Sequence, residues 1–230
     1  MKILLTGATG TIGGGALRAC LAHPQITQIV AFVRRALPEA ISSNPKLETV
    51  LVEDFSNWSD DLLDRCMDAS AMIWALGSLS PTHKVDVEYP LAFQEAFIKR
   101  RSQTQTQTQT PDFRYVHVSG KFVEQDSDRK LLFLDAQRKT KGLHDTKAIE
   151  LAGQTDSWWK LVIVRPGGVL PDGFAAGMLA TVMGRNWAII VGTLGAYLAY
   201  VAVGGDVEGV IVLNGTIVAK GRELLRTADS

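Results

Sequence analysis

The chain has 230 residues, with 24 basic against 24 acidic side chains and a formal net charge of zero at neutral pH. That balance leaves no electrostatic footprint for nucleic acid or for an anionic membrane surface. The two cysteines, Cys20 and Cys66, form no disulfide framework, and the four histidines show no metal-ligand spacing with them or with each other, so no metal is expected.

The length suits one α/β domain over residues 1–230. Lys2 to Leu5 reads as a short apolar strand that runs straight into Thr6-Gly7-Ala8-Thr9-Gly10-Thr11-Ile12-Gly13, and the run from Gly14 to Ala22 is helical. The first apolar stretch is too short for a signal peptide, which points to the cytoplasm. A strand, a glycine-rich turn and a helix in that order make a dinucleotide entry. Gly7 permits a tight turn, Gly10 lets backbone approach a pyrophosphate, and Gly13 lets helix and sheet come close. Gly7, Thr9, Gly10, Thr11, Ile12 and Gly13 are therefore candidate cofactor contacts, with the pyrophosphate on the helix N-terminus. The bland alternative is a glycine turn that holds nothing.

The spacing is GxxGxxG and not GxGxxG. This stretch, at the extreme N-terminus, resembles the extended and atypical short-chain dehydrogenase/reductases (SDRs), including their fungal NAD(P)-binding members. The resemblance implies a Rossmann-like, doubly wound, mostly parallel sheet in three αβα layers.

Thr27 to Val33 is the second strand, and it ends in Arg34 and Arg35 where an NAD-preferring site would carry an acidic residue. A guanidinium pairs with a 2′-phosphate, so NADPH is expected over NADH. Two solvated arginines at a strand end are the competing reading. Leu47 to Val52 is the third strand. After it, Asp54, with Phe55 beside it, matches the family aspartate that binds the adenine amino group. Asp60 to Asp68 is an amphipathic helix with Leu62, Leu63 and Cys66 inward. Ala71 to Leu76 is the fourth strand, and the family implies that Leu76 and Gly77 lie along the nicotinamide-side ribose.

Val87 to Arg100 reads as the crossing helix. The Gln-Thr repeat over 103–110 is low-complexity and is expected to be a surface loop. Phe113 to Val118 is the fifth strand, followed by Ser119, which matches the family's catalytic serine. Asp135 to Gly153 is a polar helix carrying Lys141, and Trp158 to Val164 is the sixth strand. The turn Arg165-Pro166-Gly167 resembles the family turn whose backbone passes the nicotinamide carboxamide, making Pro166 and Gly167 candidate contacts. Trp187 to Gly205 holds no charged residue. It reads as a strand end and a buried helix, with Leu194, Leu198, Val201 and Ala202 at helical spacing, more readily than as a membrane span. The segment from Asn214 to Leu225 resembles the family's closing segment.

The resemblance breaks at one place. The family mechanism needs a tyrosine four residues before the lysine, and alignment on Lys141 puts Gln137 there. Alignment on Lys147 puts Leu143 there, and none of Tyr89, Tyr115, Tyr197 and Tyr200 is a clean substitute. His144 is read as a solvated helix residue, with proton donor to the substrate as the alternative. There is no GxSxG elbow and no Walker lysine. The sequence thus predicts an NADPH-dependent oxidoreductase acting on a small carbonyl or enone-like metabolite, a tailoring step of fungal secondary metabolism by resemblance. Ser119 and Lys141 would be catalytic, and the proton would come from water or an unidentified group. A non-catalytic NADP(H)-binding redox sensor or scaffold, and an isomerase on the same fold, stand as alternatives.

Overall fold

A computed structural model describes residues 1–78, 82–104, 111–126 and 128–228. Positions 105–110 of the Gln-Thr repeat, expected to be a surface loop, lie outside the described residues. In chain order the elements are β1 (Lys2–Thr6), α1 (Thr11–Ala22), β2 (Gln28–Val33), α2 (Glu39–Ser42), β3 (Leu47–Leu51), α3 (Asp60–Asp64) and β4 (Ala71–Trp74). A π-helical turn, Lys84–Glu88, leads into α4 (Tyr89–Thr104), β5 (Phe113–Val118), α5 (Asp135–Gly153) and β6 (Trp159–Arg165). The chain then forms β7 (Gly168–Leu170), α6 (Phe174–Met183), β8 (Ala188–Ile190), α7 (Val191–Ala202), β9 (Ile211–Leu213) and α8 (Asn214–Ala228).

Seven strands form one sheet in the order β3-β2-β1-β4-β5-β6-β9. Every pairing in it is parallel, from Ile3 opposite Ile29 and Ala71 to Arg165 opposite Leu213. Strands buried on both faces need apolar side chains on both, which is why β1 and β4 read as unbroken apolar runs. Successive residues face opposite ways: Ile3 and Leu5 join one core cluster with α1 and α7, while Leu4 joins the other. The second cluster is aromatic, with Phe55, Trp58, Trp74, Phe93 and Tyr115 packed together. The expected Rossmann-like, three-layer architecture is present. Cys20 and Cys66 are both buried, one in each cluster, on opposite sides of the sheet.

The uncharged stretch forms β8 and α7, as expected, with Leu194, Leu198, Val201 and Ala202 all buried. Among the described residues no helix is long and apolar enough to cross a membrane. Several features departed from expectation, among them α4, which runs on through Gln103 and Thr104, the first two residues of the repeat expected to be a loop. The α3 helix stops at Asp64, short of Asp68. A separate parallel pair, β7 with β8, was not foreseen because each strand is only 3 residues long. The apolar α6 between them buries only Ala180, leaving Phe174, Met178 and Val182 exposed.

Two helices touch backbone to backbone on the first face. A β-carbon on Gly195 of α7 would lie 2.5 Å from the Gly15 carbonyl oxygen of α1, and one on Gly15 would lie 2.7 Å from Val191 Cγ2. Gly195→Ala is therefore expected to cost about 1–3 kcal/mol through overpacking, read as a melting temperature lowered by several degrees in a thermal scan. An unchanged melting temperature would show that the helices do not approach this closely.

Candidate functional site

The strand order reverses between β1 and β4, and ligands of open α/β sheets bind beyond the carboxyl ends of the strands at such a point. Gly7 sits there at φ +74°, where a β-carbon would be 2.4 Å from the Ala75 carbonyl oxygen. A β-carbon on Gly13 would be 2.1 Å from the Gly7 carbonyl oxygen. Both glycines are thus steric requirements of the turn. Thr6 fastens it from below, its Oγ1 accepting the Ala75 and Leu76 N–H groups at 3.2 Å each. Gly10 caps α1 in extended backbone, with no side-chain cap and no acidic residue in the first turn. The first N–H groups of the helix are left for an anion, and Thr9, Gly10 and Thr11 are exposed around them. Ile12 instead packs on the core.

A groove of about 550 Å³ runs from this turn, lined by Thr9, Gly10, Gly14, Arg18 and Arg35 among others. Arg35 is the arginine of the pair that lines it, while Arg34 is exposed on the same turn. Arg18, which sequence reading missed, adds a second guanidinium and pairs with Asp172 at 3.4 Å. Helical spacing from Gly10 through Gly14 to Arg18 was the available signal. Asp54 is exposed, and its Oδ1 accepts the Ser56 N–H at 3.1 Å and hydroxyl at 2.7 Å. Those bonds hold its carboxyl below the usual carboxylate range. The Phe55 side chain corrects expectation: it is buried against Trp58 and Trp74, turned into the core.

At the other end, Ser119 follows β5, and its hydroxyl donates to Asp145 Oδ2 at 3.0 Å. Arg165 donates to the same oxygen through Nε at 3.0 Å and Nη2 at 2.8 Å. Lys141 lies one turn before Asp145 on α5, its Nζ 3.1 Å from Asp86 Oδ1. Asp86 also accepts the Ser78 and Thr82 N–H groups, at 3.3 and 3.2 Å, which ties the segment after β4 to α5. A β-carbon on Gly77, which is exposed, would stand 3.5 Å from Lys141 Nζ, so Lys141 and Gly77 are neighbours as the resemblance requires. Leu76 is half-buried against the aromatic core. Gly142 fits because a β-carbon there would be 1.7 Å from the Glu124 carbonyl oxygen.

The turn after β6, Arg165-Pro166-Gly167, is tied down by two other segments of the chain. The Gly167 N–H donates to Asn214 Oδ1 at 2.8 Å, and the Pro166 carbonyl accepts the Lys121 N–H at 2.9 Å. Pro166 is buried, so these groups hold the turn to α8 and to the segment after Ser119. Gln137 is half-buried on α5, Tyr115 lies wholly inside β5, Tyr89 packs on Phe55, and Tyr197 and Tyr200 stand on α7.

His144 is the clearest correction: it is 0% exposed, not solvated. Its ring lies 3.8 Å, centroid to centroid, from that of buried His117 on β5, and its Nε2 is 3.2 Å from Gln94 Nε2. Burial, the His144 ring and Lys141 together hold His117 well below its ordinary value of 6.5. Ligand atoms of His117, His144 and Asp145 lie within 4.8 Å of one another. The Arg165 guanidinium on that carboxylate makes a poor neighbour for a cation. Period-2 alternation along β5 places Tyr115, His117 and Ser119 on one face, and the four-residue step from Lys141 to Asp145 places these on one face of α5. Those two periods were the missed signal.

No model of a known protein family matches the chain. It superposes on an oxidoreductase, ylbE, from Lactococcus lactis with a TM-score of 0.63 at 16% identity, over 98% of this chain and 97% of that one. It superposes on Gre2 from Candida albicans, solved with NADPH, with a TM-score of 0.64 at 13% identity, over 93% and 78%. The fold is that of the short-chain dehydrogenases/reductases. Among curated relatives, the chain is 38% identical over 77 residues to leucinostatins biosynthesis cluster protein T of Purpureocillium lilacinum, covering 34% of this chain and 28% of that protein. It is 27% identical over 146 residues to the mitochondrial protein FMP52 of Saccharomyces cerevisiae, covering 59% and 61%. The chain therefore spans less than two thirds of the length of these relatives.

The buried His117 gives a pH prediction. Its pKa is depressed in the folded chain, so on acidification the unfolded chain takes the proton first, and the stability is present above 6.5 and lost below it. The loss is up to about 1.4 kcal/mol per pH unit. Urea unfolding on either side of 6.5 should show it, and His117→Phe should flatten the slope. An unaltered slope in that variant would mean that folding does not depress the His117 pKa.

Proposed function

We propose that this SDR-type chain is an NADP(H)-dependent oxidoreductase that reduces a small carbonyl or enone-like metabolite. The observation that carries the reading is the placement of Lys141 beside Gly77 and of Ser119 at the end of the neighbouring strand. The uncapped N-terminus of α1 supports pyrophosphate binding, and Arg35, with Arg18, supports a 2′-phosphate. In this reading Lys141 holds the cofactor ribose and Ser119 contacts the substrate oxygen. The cofactor, when bound, supplies or accepts the hydride. Gre2 solved with NADPH favours the same nicotinamide form, and the biosynthesis-cluster relative favours a tailoring step in secondary metabolism. The yeast relative named as mitochondrial supports the mitochondrion as an alternative to the cytoplasm. One observation favours a non-catalytic NADP(H) binder instead: Gln137 occupies the tyrosine position and carries no acid.

Calorimetry on the intact chain tests the cofactor assignment. A charge-assisted contact is worth roughly 1.5–3 kcal/mol, so NADPH should bind about tenfold or more tighter than NADH. Arg35→Ala should remove most of that preference and leave NADH affinity nearly unchanged. Equal affinities in the unaltered protein would remove the arginine clamp.

A further inference from the structure

The Ser119 hydroxyl has one proton, and it is committed to Asp145 Oδ2 at 3.0 Å. Toward the cleft, Ser119 therefore offers lone pairs, and it meets an alcohol O–H as an acceptor. Asp145 is 0% exposed, and its second oxygen, Oδ1, has no hydrogen-bond partner among the described residues. That oxygen lies 3.6 Å from His144 Nδ1, which is also unpartnered. Orphaned polar atoms facing each other in a dry interior call for an explanation. Their placement supplies one: Ser119, hydrogen-bonded to Asp145, stands at the carboxyl end of β5, and the other oxygen of that carboxylate faces a buried imidazole across 3.6 Å.

Resting on the oxidoreductase reading above, we propose that Ser119 and Asp145 form the proton relay of this site, with His144 behind them, in place of the tyrosine that Gln137 replaces. In the oxidation direction the alcohol C–H bond breaks and its electron pair leaves with the hydrogen as hydride to the oxidised nicotinamide cofactor. The alcohol O–H bond breaks as its proton passes to Ser119 Oγ, and the Ser119 proton passes to Asp145 Oδ2. The products are a carbonyl, a reduced cofactor and a protonated Asp145, whose proton can continue from the carboxyl to His144 Nδ1. Carbonyl reduction runs the same line backwards. Ser119 is the catalytic residue here, and Asp145 and His144 act through it.

The charges around Asp145 suit this role. Arg165 from β6 holds it in place through two hydrogen bonds to Oδ2. His117 and Ser119 face it from the β5 side and His144 from α5, while Gln94 of α4 touches His144, and Lys141 of α5 pairs with Asp86. Tyr115, next to His117, is wholly buried, and burial raises its phenol well above the ordinary range, so it does not compete for the proton.

The test has a cofactor-free arm and a turnover arm, both on the full chain. In the first, Ser119→Cys puts a thiol where the hydroxyl stands, and its ionisation is followed by ultraviolet absorbance. Adding Asp145→Asn should lower the thiol pKa by about one unit or more, because a carboxylate at hydrogen-bond distance opposes a thiolate. An unchanged pKa overturns the relay. In the second, NADP⁺ binding is measured by calorimetry, and NADPH formation is followed with 2-octanol, cyclohexanol and 1-phenylethanol between about pH 5 and 9. Asp145→Asn should lower kcat about a hundredfold or more and flatten its pH profile, with NADP⁺ affinity intact and Asp145→Glu restoring turnover. Ser119→Ala, which keeps the Asp145–Arg165 pair, should lose as much, and the double variant no more than either. Turnover in the unaltered protein with full activity in both variants overturns the relay and leaves the oxidoreductase reading standing. Cofactor binding without turnover on every probe, or no cofactor binding, overturns that reading and the relay with it.

Discussion

The architecture depends on how closely main chain can approach main chain around α1. Gly7 and Gly13 let the first turn fold against Ala75 and against itself, and Gly15 meets Gly195 across the helix pair. A side chain at any of these places would lift α1 away from the sheet or from α7. The helix N-terminus would then no longer face the carboxyl end of β4, where Gly77 and Lys141 meet. The glycine turn and the Lys141–Gly77 end of the proposed site are thus set by the same contacts.

At the chemical end, electrostatics replaces steric contact as the organising influence. Asp86 and Asp145, both buried, hold Lys141 and Arg165 respectively, and each carboxylate also accepts from a second element. Removing two charges from water is expensive, and buried pairs are weak sources of stability. What they fix here is position: Ser119, Lys141 and Arg165, from β5, α5 and β6, converge through two carboxylates. The result is an ordered set of proton-bearing groups around Ser119.

Much of this was legible in the sequence, for identifiable reasons. The strands were readable because parallel strands buried on both faces are unbroken apolar runs, and the glycine turn because Gly7 adopts a conformation other residues avoid. Ser119 and Lys141 were singled out by the family resemblance, through their places after the fifth strand and on the following helix. Asp86, Asp145 and Arg165 were not, because their meaning lies in pairings across 20 residues or more. His144 was misread because α5 is polar over most of its length, and its buried stripe is narrow. Phe55 was placed toward the cofactor by its neighbour Asp54, whereas its ring completes the aromatic core.

The two cysteines carry a consequence for how the chain can respond to its surroundings. Burial pushes the Cys20 thiol up to about 12 and the Cys66 thiol to about 11, so neither is a thiolate at physiological pH. The sheet stands between them, so they cannot join to each other, and oxidants that attack thiolates find no foothold. If this protein senses the redox state of its compartment, its own sulfhydryls are not the sensor. The ratio of reduced to oxidised nucleotide in the cleft is then the channel through which such a signal would enter.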